Sequence, residues 1–396
     1  MSFSKLRPVG SRVPLPTEGS AVLPAPWAEH YDSAFVNSGT AALSLAVKLS
    51  VNRKQAPHTP EVILPAYGCP DLVAAVVAQE ARPVLVDLAE GRPWMNLKAV
   101  ENAVTENTVG IIAAGFLGIP ERLFALRWIA DKNDVALIED SAQVFPPFSC
   151  GNGVADYVIL SFGRGKPINL MGGGALLIRK DHGERLALGS VSVLDAPPEV
   201  RLSASAAWRV RRWLFNLLLT PPLYGAMERM PLLGIGQTVF HPLGSIGRQS
   251  PVEGLLEAGI EGFNKRRDIT AAYSEALVGL TGKGWAPLAV ECFAESAREG
   301  LVASSPILLR YPLLAPSRQS RDKALLELNR AGIGASAFYG QALPAIEGAG
   351  EFVTVAASSF PCACDFADRL ITLPTHEDVR NGDVESVADI LLGRCY

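Results

Sequence analysis

Two short segments hold the residue types from which an amine-and-carboxylate site could be built. Asp140 and Gln143 fall in IEDSAQ (138–143), Lys166 closes SFGRGK (161–166), and Gly172-Gly173-Gly174 follows. A Walker A loop needs a glycine five before the GK glycine and Ser or Thr after the lysine; Leu160 and Pro167 stand there instead. GRGKPI also fails to supply the G-x-G-x-x-G of a dinucleotide fold. Pro167 biases Lys166 toward extended or turn backbone, and the adjacent glycines leave room for a flat ligand or a close backbone. A lone lysine of this kind reads as a surface residue. This one is accompanied at the ends of expected elements by Asp140, Ser161 and a helix-opening Ser38-Gly39-Thr40. An amine, a carboxylate and donors for a phosphate are the parts that pyridoxal phosphate requires.

The elements that must position these residues alternate. A helix is expected after Ser38-Gly39-Thr40, where Ala41, Leu45 and Leu49 recur at helical spacing. Buried strands read at EVILP (61–65), PVLVD (83–87), VGIIAA (109–114), VALIED (135–140), YVILSF (157–162) and GALLIRK (174–180). Helices fit between them at 71–79, 97–104 and 121–132. Such alternation predicts an α/β fold with a mostly parallel sheet covered on both faces. Ligands then bind beyond the carboxyl ends of the strands, where Asp140, Ser161 and Lys166 fall. Helix and strand signals resume at 254–280, with a strand at 306–314 and helices at 320–331 and 383–392. The organisation expected is an N-terminal arm (1–30), a large domain (31–250) and a smaller C-terminal α+β domain (251–396).

The chain has 396 residues, 40 acidic and 36 basic, for a net charge of -4. This balance argues against a surface wholly devoted to nucleic acid, and 48% apolar residues exclude global disorder. The mean hydropathy of +0.20 is not due to a membrane span. The most apolar stretch, Trp213 to Ile235, is broken by Asn216, Pro221, Pro222, Glu228, Arg229 and Pro231, and a spanning helix needs about 20 apolar residues without such breaks. The N-terminus lacks an apolar signal core. A cytoplasmic protein with six reduced cysteines is expected, and neither those cysteines nor the five scattered histidines suggest a metal site.

The order NSGTAAL, EVILPAY, PVLVD, IEDSAQ, SFxxxK and GGG resembles the DegT/StrS group of sugar aminotransferases. The resemblance covers residues from about 30 to 180 and returns weakly in NKRRDITAAY (264–273), GIGASAFY (332–339) and LITLPTH (370–376). It implies a fold-type-I pyridoxal-phosphate transferase, a homodimer, and ping-pong amino transfer from glutamate to a keto sugar carried by a nucleotide, as in polysaccharide biosynthesis. By that match Lys166 is the Schiff-base lysine and the acid/base of both halves. Asp140 keeps the pyridine nitrogen protonated, with a helix N-cap as its other reading. Gln143 lies beside the ring, or is an ordinary polar helix residue. Gly39 and Thr40 donate to the phosphate, and so does Ser161, unless its hydroxyl is bonded to backbone.

Departures from the family pattern bear on cofactor affinity and substrate. Cys69 stands where the family has a stacking aromatic, so stacking is lost or passes to Tyr67. Gly172 replaces a Glu and Gly163 a His. Ile246 and Gly247 stand where the partner subunit's phosphate asparagine is expected, while Arg248 matches the family arginine. Lys166 argues against the dehydratase relatives that carry His. A catalytically degenerate binding or regulatory protein, or another fold-type-I enzyme, is the alternative.

One stretch lies outside these matches. WRVRRWLFNLLL (208–219), drawn as a helix, puts Val210, Trp213, Leu214, Leu217 and Leu218 on one face and Arg209, Arg212 and Asn216 on the other. Packing of the apolar face on the enzyme's own core or a partner subunit is expected first. Peripheral membrane contact through about 206–235 is the second reading. Cys362 and Cys364, at an i, i+2 spacing read on a strand, are expected as two free thiols in preference to a redox pair, and Arg266 and Arg267 as a solvated helix face.

Overall fold

The computed structural model describes residues 4–18, 25–180, 200–230, 238–298 and 307–394. The start of the strand expected at 306, residues 231–235 of the apolar stretch, His182 and Cys395 lie outside them.

Seven strands form the main sheet: β1 (Tyr31–Val36), β2 (Glu61–Pro65), β3 (Arg82–Val86), β4 (Thr108–Ala114), β5 (Ala136–Asp140), β6 (Tyr157–Ser161) and β7 (Gly174–Arg179). Helices α1 (Ala25–His30), α2 (Gly39–Arg53), α3 (Asp71–Val77), α4 (Leu97–Ala103) and α5 (Leu123–Lys132) lie between them or flank them in sequence. The spatial order is β1-β7-β6-β5-β4-β2-β3. β2 through β6 run parallel, whereas β7 is antiparallel to both β6 and β1. The mostly parallel α/β sheet is therefore present, with one reversed strand. The reason lies in the β6–β7 connection. A parallel return needs a crossover, usually a helix, but residues 162–173 fold as a loop closed by Phe162 N–H to Gly173 O and Leu170 N–H to Phe162 O. That loop carries Lys166.

After this sheet come β8 (Val200–Arg201), α6 (Ala206–Leu218), α7 (Pro221–Glu228), β9 (Gln249–Ser250), α8 (Leu255–Asn264) and α9 (Thr270–Ala276). A second, antiparallel sheet of β10 (Ala286–Pro287), β11 (Arg310–Leu314) and β12 (Leu370–Pro374) follows. Its helices are α10 (Leu288–Arg298), α11 (Arg318–Arg330), α12 (Pro361–Arg369) and α13 (Asn381–Leu392).

Three expectations are corrected. Cys362 and Cys364 sit on α12, not on a strand, because Pro361 occupies the first helical position, where its missing N–H costs nothing. Arg266 is not part of a solvated face; its guanidinium turns inward and donates to Thr375 O and Oγ1, while Arg267 stays exposed. The apolar stripe of α6 does not pack on the chain's own core, one of the two packings expected of it. Arg212 donates to Val13 O and Pro14 O (3.0 and 2.9 Å), Asn216 bonds both backbone groups of Val13 (2.9 Å each), and Trp213 is 59% exposed. The polar side of α6 binds the protein because residues 4–18 run beneath it as an extended arm with backbone groups to satisfy.

Arg7 ties that arm down. It is fully buried, donates to Gly10 O (2.7 Å) and Leu219 O (3.0 Å), and pairs with Glu377 (2.7 Å) and Asp378. Val9 of the same arm packs against Gly165, next to Lys166.

Candidate active site

Parallel strands bring their carboxyl ends to one edge of the sheet. Gly39, Thr40, Asp140, Gln143, Ser161 and Lys166 together line one cavity of about 50 Å³ at that edge, joined by Cys69 and Asp71. The residues drawn from four separate stretches of sequence thus meet.

The start of α2 opens on the cavity. Its N-cap Ser38 accepts from Ala41 N–H (3.0 Å), and Ser38 O accepts from Ala42 N–H (3.1 Å). The N–H groups of Gly39 and Thr40 precede these and have no intrahelical acceptor, so the helix start presents them as anion donors. The approach is tight. A Cβ on Gly39 would stand 2.6 Å from Ser161 Cβ and 2.7 Å from its Oγ, and one on Gly174 would stand 2.6 Å from Ser38 O. Only glycine lets this helix end touch β6 and β7, which accounts for the last glycine of the GGG run.

Asp140 ends β5 half-buried, and its Oδ1 accepts from Ala142 N–H at 2.9 Å. No helix follows it, so it is not an N-cap. Burial raises its carboxyl above the ordinary aspartate range, with the Ala142 N–H and the Lys166 ammonium opposing. Gln143 is not on a helix either. Its Oε1 accepts from Leu117 N–H (3.1 Å) and its Nε2 donates to Tyr339 Oη (2.6 Å), which fixes its orientation. Lys166 is set by a tight turn, with its N–H on Gly163 O at 3.3 Å and Gly165 at a φ of +75°.

Tyr67 does not take over the stacking position. Its ring is enclosed by Phe116, Tyr339 and Phe366, with centroids 5.1 to 6.1 Å away, and Cys69 faces the cavity instead. Burial, reinforced by Asp71 and opposed by Lys166, pushes the Cys69 thiol up to about 12. It is a protonated thiol at neutral pH and not a nucleophile.

Two residues of the site were not singled out by their sequence. Asp71 reads as the opening residue of a helix, yet its Oδ2 accepts from Thr40 Oγ1 at 3.0 Å inside the cavity. Tyr339 holds Gln143. The stretch around Arg248 also lies close by: Asn37 N–H donates to Gly247 O (2.9 Å), and Arg248 bridges Val36 just before α2.

A model of the DegT/DnrJ/EryC1/StrS aminotransferase family matches residues 26–188 and 256–392. The chain belongs to this family. It is 31% identical over 153 residues to a dTDP-3-amino-3,4,6-trideoxy-alpha-D-glucose transaminase of Streptomyces venezuelae, a match covering 37% of the chain and 38% of that relative. It is 30% identical over 148 residues to a UDP-N-acetyl-3-dehydro-alpha-D-glucosamine 3-aminotransferase of Acidithiobacillus ferrooxidans, covering 36% and 39%. The chain therefore spans well under half the length of the curated relatives it matches. NtdA of Bacillus subtilis, solved with bound cofactor PMP, superposes with a TM-score of 0.61 at 16% identity, over 92% of this chain and 73% of that one. At that identity the likeness carries the fold. For a DegT-family chain, the stretch between the two matched segments is notable, since it holds α6 and α7.

Proposed function

We propose that this chain is a pyridoxal-phosphate-dependent aminotransferase that passes an amino group from glutamate to a keto sugar carried by a nucleotide, as a cytoplasmic homodimer. The supporting observation is the convergence of Lys166, Asp140, Ser161 and the start of α2 on one cavity. The donor set suits the cofactor: unspent N–H groups of Gly39 and Thr40 and the Ser161 hydroxyl for the phosphate, Asp140 for the pyridinium, Lys166 for the aldehyde. When bound, the cofactor supplies a carbonyl that condenses with amines and a ring that accepts electrons.

The chain's own residues do the rest. Lys166 moves the proton at the substrate carbon in each half-reaction, as general base and then general acid. Asp140, raised by burial, gains from a cationic partner, so its carboxylate holds the proton on the ring nitrogen. Gln143, held at both ends, walls one side. The dTDP- and UDP-sugar relatives support a nucleotide-sugar acceptor.

Asp71 favours a second reading, a degenerate binding protein. Its carboxylate takes the Thr40 hydroxyl beside the expected phosphate, and Cys69 offers no ring to stack. One experiment separates the two. Purified protein given pyridoxal phosphate should turn yellow, borohydride should fix the cofactor to a peptide containing Lys166, and K166A should stay unlabelled. Its amino transfer should fall by about 10² to 10⁴. Colourless protein that takes up no cofactor defeats the enzyme reading. Keto sugar nucleotides with glutamate then test the substrates.

A further inference from the structure

We propose that the outward face of α6 and α7 docks on the surface of an anionic lipid bilayer. The face is inverted relative to an ordinary surface helix. Its polar residues Arg212 and Asn216 are spent on Val13 and Pro14, and Phe215 lies under the Arg164 guanidinium at 5.5 Å. What remains outward is Val210, Trp213, Leu214, Leu217 and Leu218, then Leu223 on α7, each 37 to 59% exposed. An uncovered stripe of this kind marks an interaction site.

Charge selects the partner. Residues 200–230 carry Arg201, Arg209, Arg211, Arg212 and Arg229 against Glu228, in a chain whose net charge is -4. Glu228 is already paired with Lys5 at 2.7 Å. Arg209 and Arg211 are exposed beside the apolar stripe. A basic, Trp-containing rim around aliphatic residues fits headgroups at the rim and acyl chains beneath. A second copy that set this patch against itself would bring like charges together, and one that covered it with another surface is the outcome the subunit-number measurement below reads.

Geometry selects lying over spanning. At 1.5 Å per residue, the 13 residues of α6 reach about 20 Å, and among the described residues no helix is long and apolar enough to cross a membrane. The face also lies between the two segments matched by the family model.

The test uses the full chain with cofactor and flotation on phosphatidylcholine vesicles with or without phosphatidylglycerol. Wild type should float at least tenfold more on the anionic vesicles and be released by 0.5 M salt. Trp213→Glu with Leu217→Glu should abolish flotation, and Arg209→Glu with Arg211→Glu should reduce it at least tenfold, with circular dichroism and mass by light scattering unchanged in both. The charge-reversed pair removes no packed side chain, so it stays informative if the first variant folds poorly. Wild type that does not float, or floats equally on neutral vesicles, overturns the proposal. So does a change in subunit number on Trp213→Glu, which would make the face a contact between copies.

Discussion

Two apolar helices of this chain are treated in opposite ways. α2, GTAALSLAVKLSVNR, is buried on most of its surface, with Ala41, Ala42, Leu43, Leu45 and Ala46 all inside. α6, AAWRVRRWLFNLL, has no buried residue. Apolar content does not separate them; size and attachment do. The Gly, Ala and Ser side chains of α2 let its backbone lie close on β6 and β7, and Gly39 brings its first turn against Ser161. α6 has Trp, Arg, Phe and Leu where α2 has Ala. It is held by polar bonds to the arm, and its apolar side is left over. One helix is part of the scaffold that makes the site, and the other is mounted on it.

The sharpest way to break this contrast is a matched pair of truncations. Leu45→Ala in α2 should lower stability by about 2–5 kcal/mol through lost burial and a cavity, because Leu45 is 2% exposed within the helix–sheet core. Leu217→Ala on α6 should cost under about 0.5 kcal/mol. Urea unfolding of both, without lipid, checks the difference. Equal losses would mean that the α6 face is covered in solution.

Acid probes the arm that joins the two regions. His376 Nε2 donates to Arg7 O at 2.8 Å and Nδ1 accepts from Asp378 N–H at 3.3 Å, the pattern of a neutral ring. Burial, then Arg7 and Arg266, push its pKa down to about 3, against Asp378. The unfolded chain binds this proton near pH 6.5 and the folded chain does not, so stability should be flat above that pH and fall as pH drops from 6.5 toward 3. Thermal unfolding between pH 7.5 and 4.5 should show the decline, and H376Q should flatten it. A wild-type melting temperature that holds steady to pH 4.5 would contradict the buried neutral ring. Asn216→Ala should have a smaller effect, about 1 kcal/mol, since it leaves Val13 N–H without its side-chain partner while Val13 O keeps Arg212.

The edge that lines the cavity was legible in the sequence where its residues sit at the point a periodic element stops. Asp140 ends a strand, Ser161 ends another, and Gly39 and Thr40 start a helix. Periodicity fixes those points without knowledge of the tertiary fold. The α6 stripe was legible as a stripe but not in its direction, because periodicity reports which residues share a face and not what that face meets. The same limit hid the reversal of β7, which depends on a loop, and the inward turn of Arg266, which depends on Thr375 more than 100 residues away. Cys362 and Cys364 were misplaced for a local reason: two cysteines alternating with alanine suit a strand, and Pro361 decides for a helix.

The subtlest prediction concerns Asp71, where scaffold and site conflict. An acidic residue in the first turn of α3 interacts well with the helix dipole, worth about 0.3–1 kcal/mol. The same carboxylate lines the cavity, takes the Thr40 hydroxyl, and raises the pKa of both Cys69 and Asp140. A phosphate placed at the start of α2 would meet it as a like charge. Asp71→Asn keeps an acceptor for Thr40 and removes the charge. It should tighten binding of pyridoxal phosphate by up to about tenfold, some 1.4 kcal/mol, while lowering the melting temperature of the cofactor-free protein slightly. Opposite signs in the two measurements are what a residue serving both helix and cavity must produce. Unchanged cofactor affinity would place the phosphate away from Asp71.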